Sequence, residues 1–183
     1  MDIIKVNKLN ELARTHNQFT NDELIQRLST TMGWSYKYSK KMLGSHCNTL
    51  SSWIILSAYG TLDLPYEDFF KWGRYTSVYD ETAYYTAKAW KDDGYMNVRF
   101  QWICKALGVT LNPEYLYSFD LLSNTDELRT DVFYQTVIKG HFMASYIQDG
   151  KVYLADTSSR GVGVLAETYI KKSQFKYLAM MVS

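Results

Sequence analysis

An α+β fold is expected from three observations: helical periodicity through the first two thirds of the chain, β-type sequence in the last third, and a two-residue Asp149-Gly150 turn signal between two β-rich runs. Apolar positions at Ile3, Val6, Leu9, Leu12 and Ala13 have helical spacing. Thr20-Asn21-Asp22-Glu23 has a capping-box pattern and opens a second helix carrying Leu24, Ile25, Leu28 and Met32, ended by Gly33. Residues 1–33 therefore read as a helical extension packed on one domain that spans residues 1–183. No linker rich in Pro, Gly or Ser separates the two.

Residues 34–44 have little periodicity and read as a loop or short extended segment. Leu50, Trp53, Ile54, Ser57 and Ala58 then mark one face of a helix that starts near Cys47 and ends at Gly60. Pro65 suits the first turn of a short helix through Phe69, Phe70 and Trp72. Further helices are expected over 80–92, after Asn97 up to Gly108, and over 125–137, with a short strand at Val109 to Leu111. Phe142 to Gln148 and Lys151 to Thr157 flank Asp149-Gly150 as a hairpin, and Val162 to Leu165 and Tyr177 to Val182 follow as strands.

A chain of 183 residues with 46% hydrophobic residues is long and apolar enough for a sizeable core, which argues against disorder. The net charge of +1 lacks the electrostatic footprint of a nucleic-acid binder. The basic runs Lys37 to Lys41 and Lys171-Lys172 read as solvated surface. Two cysteines, Cys47 and Cys104, make no disulfide framework. The 16 tyrosines line either an ordinary core or an aromatic groove for a glycan or peptide. No stretch has the length and apolarity of a transmembrane helix, and Ile3-Ile4 is followed at once by Lys5, unlike a secretory signal. The expected product is a monomer made in the cytoplasm, acting on an outside substrate only after release by another agent.

Three residues carry the chemistry. With Asp149-Gly150 as the turn, Gln148 pairs with Lys151, Met143 with Asp156 and His141 with Ser158. Side chains alternate with period two, so His141 and Asp156 become diagonal neighbours with Cβ atoms roughly 7 Å apart. A one-residue slip would send Asp156 to the other face. Cys47 at a helix start sits where the macrodipole favours negative charge, and the thiolate is the nucleophilic form. The first-turn N–H groups lack intrahelical partners and can receive an oxyanion. Cys47, His141 and Asp156 thus read as nucleophile, base and orienter.

The bland alternatives are a small buried cysteine and a satisfied core histidine. Cys104 lies within a helical pattern and reads as structural, and His16 as exposed between helices. His46 adjoins Cys47, but neighbours on a helix point about 100° apart, so it suits tuning better than proton transfer. His46, Cys47, His141 and Asp156 lack the paired spacing of metal ligands, so neither metal nor cofactor is expected. Asp92-Asp93 and Asp126-Glu127 do not form a glycosidase dyad.

Tyr38-Ser39, Leu43-Gly44, Cys47-Asn48 and Ser51, with Gly140-His141-Phe142, Val152 through Asp156, Phe175 and the closing run Leu178 to Val182, resemble papain-like cysteine peptidases of the bacteriocin-leader-processing type. The likeness spans roughly residues 34–183 and is greatest to stand-alone bacteriophage members. It implies a papain-like fold, Cys47 as nucleophile, His141 as general base and acid, and Asp156 as orienter. It also implies an endolysin-like endopeptidase or amidase acting on peptidoglycan. Thr49 and Leu50 stand where the family has Val and Thr. The family's upstream Gln, a side-chain donor to the oxyanion hole, is matched here by Lys40, so Asn48 and Ser45 become the substitute candidates. A protein-processing peptidase or effector, and a non-catalytic binding domain, are the competing functions.

Overall fold

A computed structural model describes residues 2–75, 107–108, 111–117, 129–138, 140–164 and 176–182. The helix expected over 80–92 and all but the last two residues of the one expected after Asn97, together with Cys104, the acidic pairs at 92–93 and 126–127, Lys171-Lys172 and Phe175, lie outside those residues. Five helices and six strands are described. The helices are α1 (Ile3–Thr15), α2 (Asp22–Met32), α3 (Tyr36–Leu43), α4 (Cys47–Tyr59) and α5 (Tyr66–Tyr75). The strands are β1 (Leu111–Tyr117), β2 (Phe133–Ile138), β3 (His141–Gln148), β4 (Lys151–Ala155), β5 (Val162–Val164) and β6 (Lys176–Val182). The strands form one antiparallel sheet in the order β1-β6-β2-β3-β4-β5. The architecture is α+β, and none of the described helices is long and apolar enough to cross a membrane.

Local chemistry sets the helix starts. Asp2 caps α1 by accepting from the Ile4 N–H at 2.9 Å. The cap of α2 is Asn21 rather than Thr20: its side chain accepts from the Leu24 N–H, and Thr20 instead donates its N–H to Asn17. Gly33 ends α2 at φ 68, the left-handed C-cap that glycine favours. Residues 36–43 correct the expected loop. Ser35 accepts from the Tyr38 N–H, and α3 buries Ser39, Met42 and Leu43 while Tyr36 and Tyr38 stay exposed. Its buried stripe contains a serine and its exposed face two aromatics, so apolar periodicity alone does not reveal the helix.

Helix α4 is the core of the helical layer. Every residue from Asn48 to Ala58 is buried, not one face alone, because α1, α5, β2 and β3 surround it. Helix α1 packs on α4 and also touches β4 and β5, while α2 packs on α3 and α5. His16 is half-buried against Trp53 at 4.5 Å between ring centroids, contrary to the exposure expected of it. Among the tyrosines, Tyr66, Tyr134 and Tyr146 belong to the core.

Strand β2 corrects the described part, 129–137, of the helix expected over 125–137. Phe133 to Ile138 is rich in aromatic and β-branched residues, and it pairs with β3 from Ile138↔His141 to Tyr134↔Ser145. The capping signal at 125–127 does not govern the chain that far downstream. The β3–β4 ladder runs from Gln148↔Lys151 to Ala144↔Ala155, closed by Asp149 at φ 51 and Gly150 at φ 68. Two consecutive positive φ values are what a type I′ hairpin turn needs.

Phe70 is fully buried between Trp34, His46 and Tyr66. Phe70→Ala is expected to destabilise the protein by about 3–5 kcal/mol, the range for emptying a buried aromatic site. Urea unfolding of the variant beside the wild type measures it, and a loss below about 1 kcal/mol would contradict this packing.

Candidate active site

His141 opens β3 and Asp156 follows the last residue of β4. The His141 Nε2 and the Asp156 Oδ1 lie 2.7 Å apart, a charge-assisted hydrogen bond. The ladder stops one pair short of the expected Met143↔Asp156. Asp156 instead donates its N–H to the Gly161 carbonyl at 2.9 Å, so the chain already turns toward β5 there. The side-chain bond to His141 forms nonetheless. Asp156 is fully buried, and Ser158 grips it twice: the Ser158 N–H donates to Oδ1 at 2.9 Å and its hydroxyl to Oδ2 at 2.7 Å.

Cys47 is the first residue of α4, a half-buried free thiol near enough to His141 to act on its imidazole. Because Nε2 is engaged by Asp156, Nδ1 is the ring nitrogen left for the sulfur. The structure therefore brings Cys47, His141 and Asp156 together in that order. His46 occupies the N-cap position of α4 without a side-chain capping bond, so the first-turn N–H groups lack that partner.

The charges follow from this geometry. Burial alone would lower His141, but the bond to Asp156, the nearby Cys47 and the negative charge of both outweigh it, raising the imidazole from 6.5 to about 9. Burial alone would raise Asp156, yet the bond from His141, its positive charge and the two Ser158 bonds hold the carboxyl below its ordinary 3.8. Linkage gives each a window. The His141 contribution to stability is fully present below pH 6.5 and is lost as pH rises through about 9. The Asp156 contribution is present above pH 3.8 and is lost as pH falls through its lowered value. Urea midpoints across pH should show both losses, and His141→Ala should abolish the alkaline one. Its persistence in that variant would assign the loss to another group.

His46 is buried beneath the site rather than in it. Its ring stacks on Phe70 at 4.3 Å, and its Nδ1 is 2.8 Å from the Tyr66 hydroxyl, itself 2.9 Å from Thr49 Oγ1. The Thr49 hydroxyl also bonds the His46 carbonyl at 3.1 Å. One proton-consistent arrangement has Thr49 donating to that carbonyl, Tyr66 to Thr49, and His46 Nδ1–H to Tyr66. Burial raises the Tyr66 phenol strongly, the Thr49 bond offsets a little of this, and nearby Cys47 adds to the rise. The phenol is thus a neutral fixture beneath the head of α4.

The expected oxyanion candidates take part in hydrogen bonds of their own. Lys40 is exposed, and its carbonyl accepts the Gly44 N–H. Ser45 is half-buried, with its N–H bonded to the Met42 carbonyl. Asn48 is buried and its Oδ1 accepts from Gln135. None of the described hydrogen bonds brings these three side chains to His141 or Asp156. Gln135, which sequence patterning does not single out, reaches from β2 into α4. Its Nε2 lies within 3.2 Å of the Asn48 carbonyl, Asn48 Oδ1, Ser51 Oγ and Ser52 Oγ.

Among the described residues no group of three or more His, Cys, Asp or Glu is arranged to hold a metal ion. A hollow lined by Ile3, Val6, Thr130, Ile147, Gln148 and Asp149 lies at the turn end of the β3–β4 hairpin, away from His141. Compared with protein-family models, with curated proteins and with solved structures, the chain matches none of them.

Proposed function

We propose that this protein is a cysteine hydrolase that cleaves an amide bond through Cys47, His141 and Asp156. The observation that carries it is His141 bonded to a buried carboxylate and electrostatically coupled to a thiol at a helix start that no side chain caps. The imidazolium held by Asp156 favours the thiolate, which attacks the substrate carbonyl carbon. The resulting oxyanion faces the open N–H groups of the first turn of α4. Collapse breaks the C–N bond as His141 gives its proton to the departing amine, leaving a thioester on Cys47. His141 then takes a proton from water as the hydroxyl adds to the thioester, and the acid leaves as the thiol is restored.

The substrate follows from the resemblance to stand-alone bacteriophage peptidases: the amide bonds of bacterial peptidoglycan, in an endolysin-like endopeptidase or amidase with a papain-like fold. Zymography on purified peptidoglycan tests this. Clearing by the wild type and by neither Cys47→Ala nor His141→Ala is the expected result. Equal clearing by all three would overturn the triad, and clearing of protein substrates alone would redirect the same chemistry to a processing peptidase.

A further inference from the structure

The α1–α2 connection reaches both sides of this site. Gln18 is 1% exposed and has three described hydrogen bonds. Its Nε2 donates to the Gly44 carbonyl at 2.8 Å, three residues before Cys47. Its Oε1 accepts from the Thr157 hydroxyl at 3.1 Å, and its backbone N–H donates to the Thr157 carbonyl at 2.8 Å, one residue after Asp156. Asn17 adds a longer bond from Nδ2 to the Ser158 carbonyl, 3.4 Å.

The thiol rides on the α3–α4 junction and the orienting carboxylate on the turn after β4, two segments more than a hundred positions apart in the chain. The junction is itself tight: the Ser45 N–H donates to the Met42 carbonyl and the His46 N–H to the Leu43 carbonyl. A pull on Gly44 is therefore passed to Cys47 rather than absorbed. A single amide that donates to one segment and accepts from the other fixes their separation in both directions, and it is water-shielded.

We propose that Gln18 is a positioning residue that sets the spacing between Cys47 and the His141–Asp156 pair. It makes the helical extension part of the active site although that segment supplies no reacting group. This rests on the hydrolase reading above. An apolar brace of similar volume would keep the fold but leave the Gly44 carbonyl and the Thr157 hydroxyl without this partner, letting the two segments drift. Reactions of positioned groups lose on the order of 100-fold for a displacement near 1 Å, so even partial drift is measurable.

The test is alkylation of the full chain by iodoacetamide from pH 5 to 10, with the rate at Cys47 read by mass spectrometry below the melting temperature of each variant. It needs no wall substrate. Gln18→Met should slow Cys47 alkylation at pH 7 by about tenfold. Thr157→Val, which removes only the hydroxyl, should slow it in the same direction, and Thr157→Ser should restore the wild-type rate. Should Gln18→Met fail to fold, the Thr157 pair decides alone. A wild-type rate at Cys47 in Gln18→Met or Thr157→Val, even with a lowered melting temperature, would overturn the proposal and leave a plain structural brace. A wild-type Cys47 no more reactive than a free thiol would overturn the hydrolase reading itself.

Discussion

On the proposed hydrolase reading, Cys47→Ala is expected to lower peptidoglycan hydrolysis by roughly four orders of magnitude or more, as loss of a covalent nucleophile does elsewhere. No other described group can replace the sulfur: His46 is buried against Phe70 and bonded to Tyr66, and Ser51 donates to the Asn48 carbonyl. The substitution should leave folding nearly intact. Cys47 is half-buried and stands outside the apolar cluster built from Leu50, Trp53, Ile54 and their neighbours. Released amino groups from purified walls measure the turnover, and circular dichroism with a urea titration measures the fold. Loss of activity in a stably folded variant is the expected pair of results. Full activity in that variant would remove Cys47 from the chemistry.

Asp156→Asn should act on the same centre by a different route. The amide keeps the shape of the carboxylate and can still accept from Ser158, but it holds no negative charge against His141. With that charge gone, the main support for a raised imidazole disappears. In the wild type His141 stays protonated up to about 9, so activity should hold through neutrality and fall above that value, where the leaving amine finds no proton donor. In Asp156→Asn the alkaline limb should move down toward the ordinary 6.5. The rate at pH 7 should fall by about 100- to 10,000-fold, combining lost charge with a poorly oriented ring. A pH–rate profile of both proteins measures this. An unmoved alkaline limb would mean that some other group sets it.

How much of this was legible in the sequence depends on how local each signal is. Asp149-Gly150 specifies its turn within two residues, and the ladder from Gln148↔Lys151 follows from it. The meeting of His141 with Asp156 was legible for the same reason, one hairpin being the whole distance between them. Helix α3 was hidden because its inward stripe is Ser39, Met42 and Leu43, with Tyr36 and Tyr38 outside. Strand β2 was hidden because its alternation only makes sense beside β3 and β6. Gln18 and Gln135 were beyond reach in principle. Each is an ordinary polar residue in sequence, and its partners lie 26 to 139 and 83 to 87 positions away.

The order β1-β6-β2 has a consequence for the birth of the protein. Strand β6, the latest of the described strands, lies between β1 and β2 and bonds to both. The β3–β4 hairpin needs only neighbours, so it can assemble as soon as it emerges from the ribosome. Strand β1 must wait for residues some sixty positions later, leaving its edge and that of β2 uncovered meanwhile. Synthesis halted before residue 176 would give a chain holding His141 and Asp156 but two bare strand edges, a species for chaperones rather than for work on a substrate.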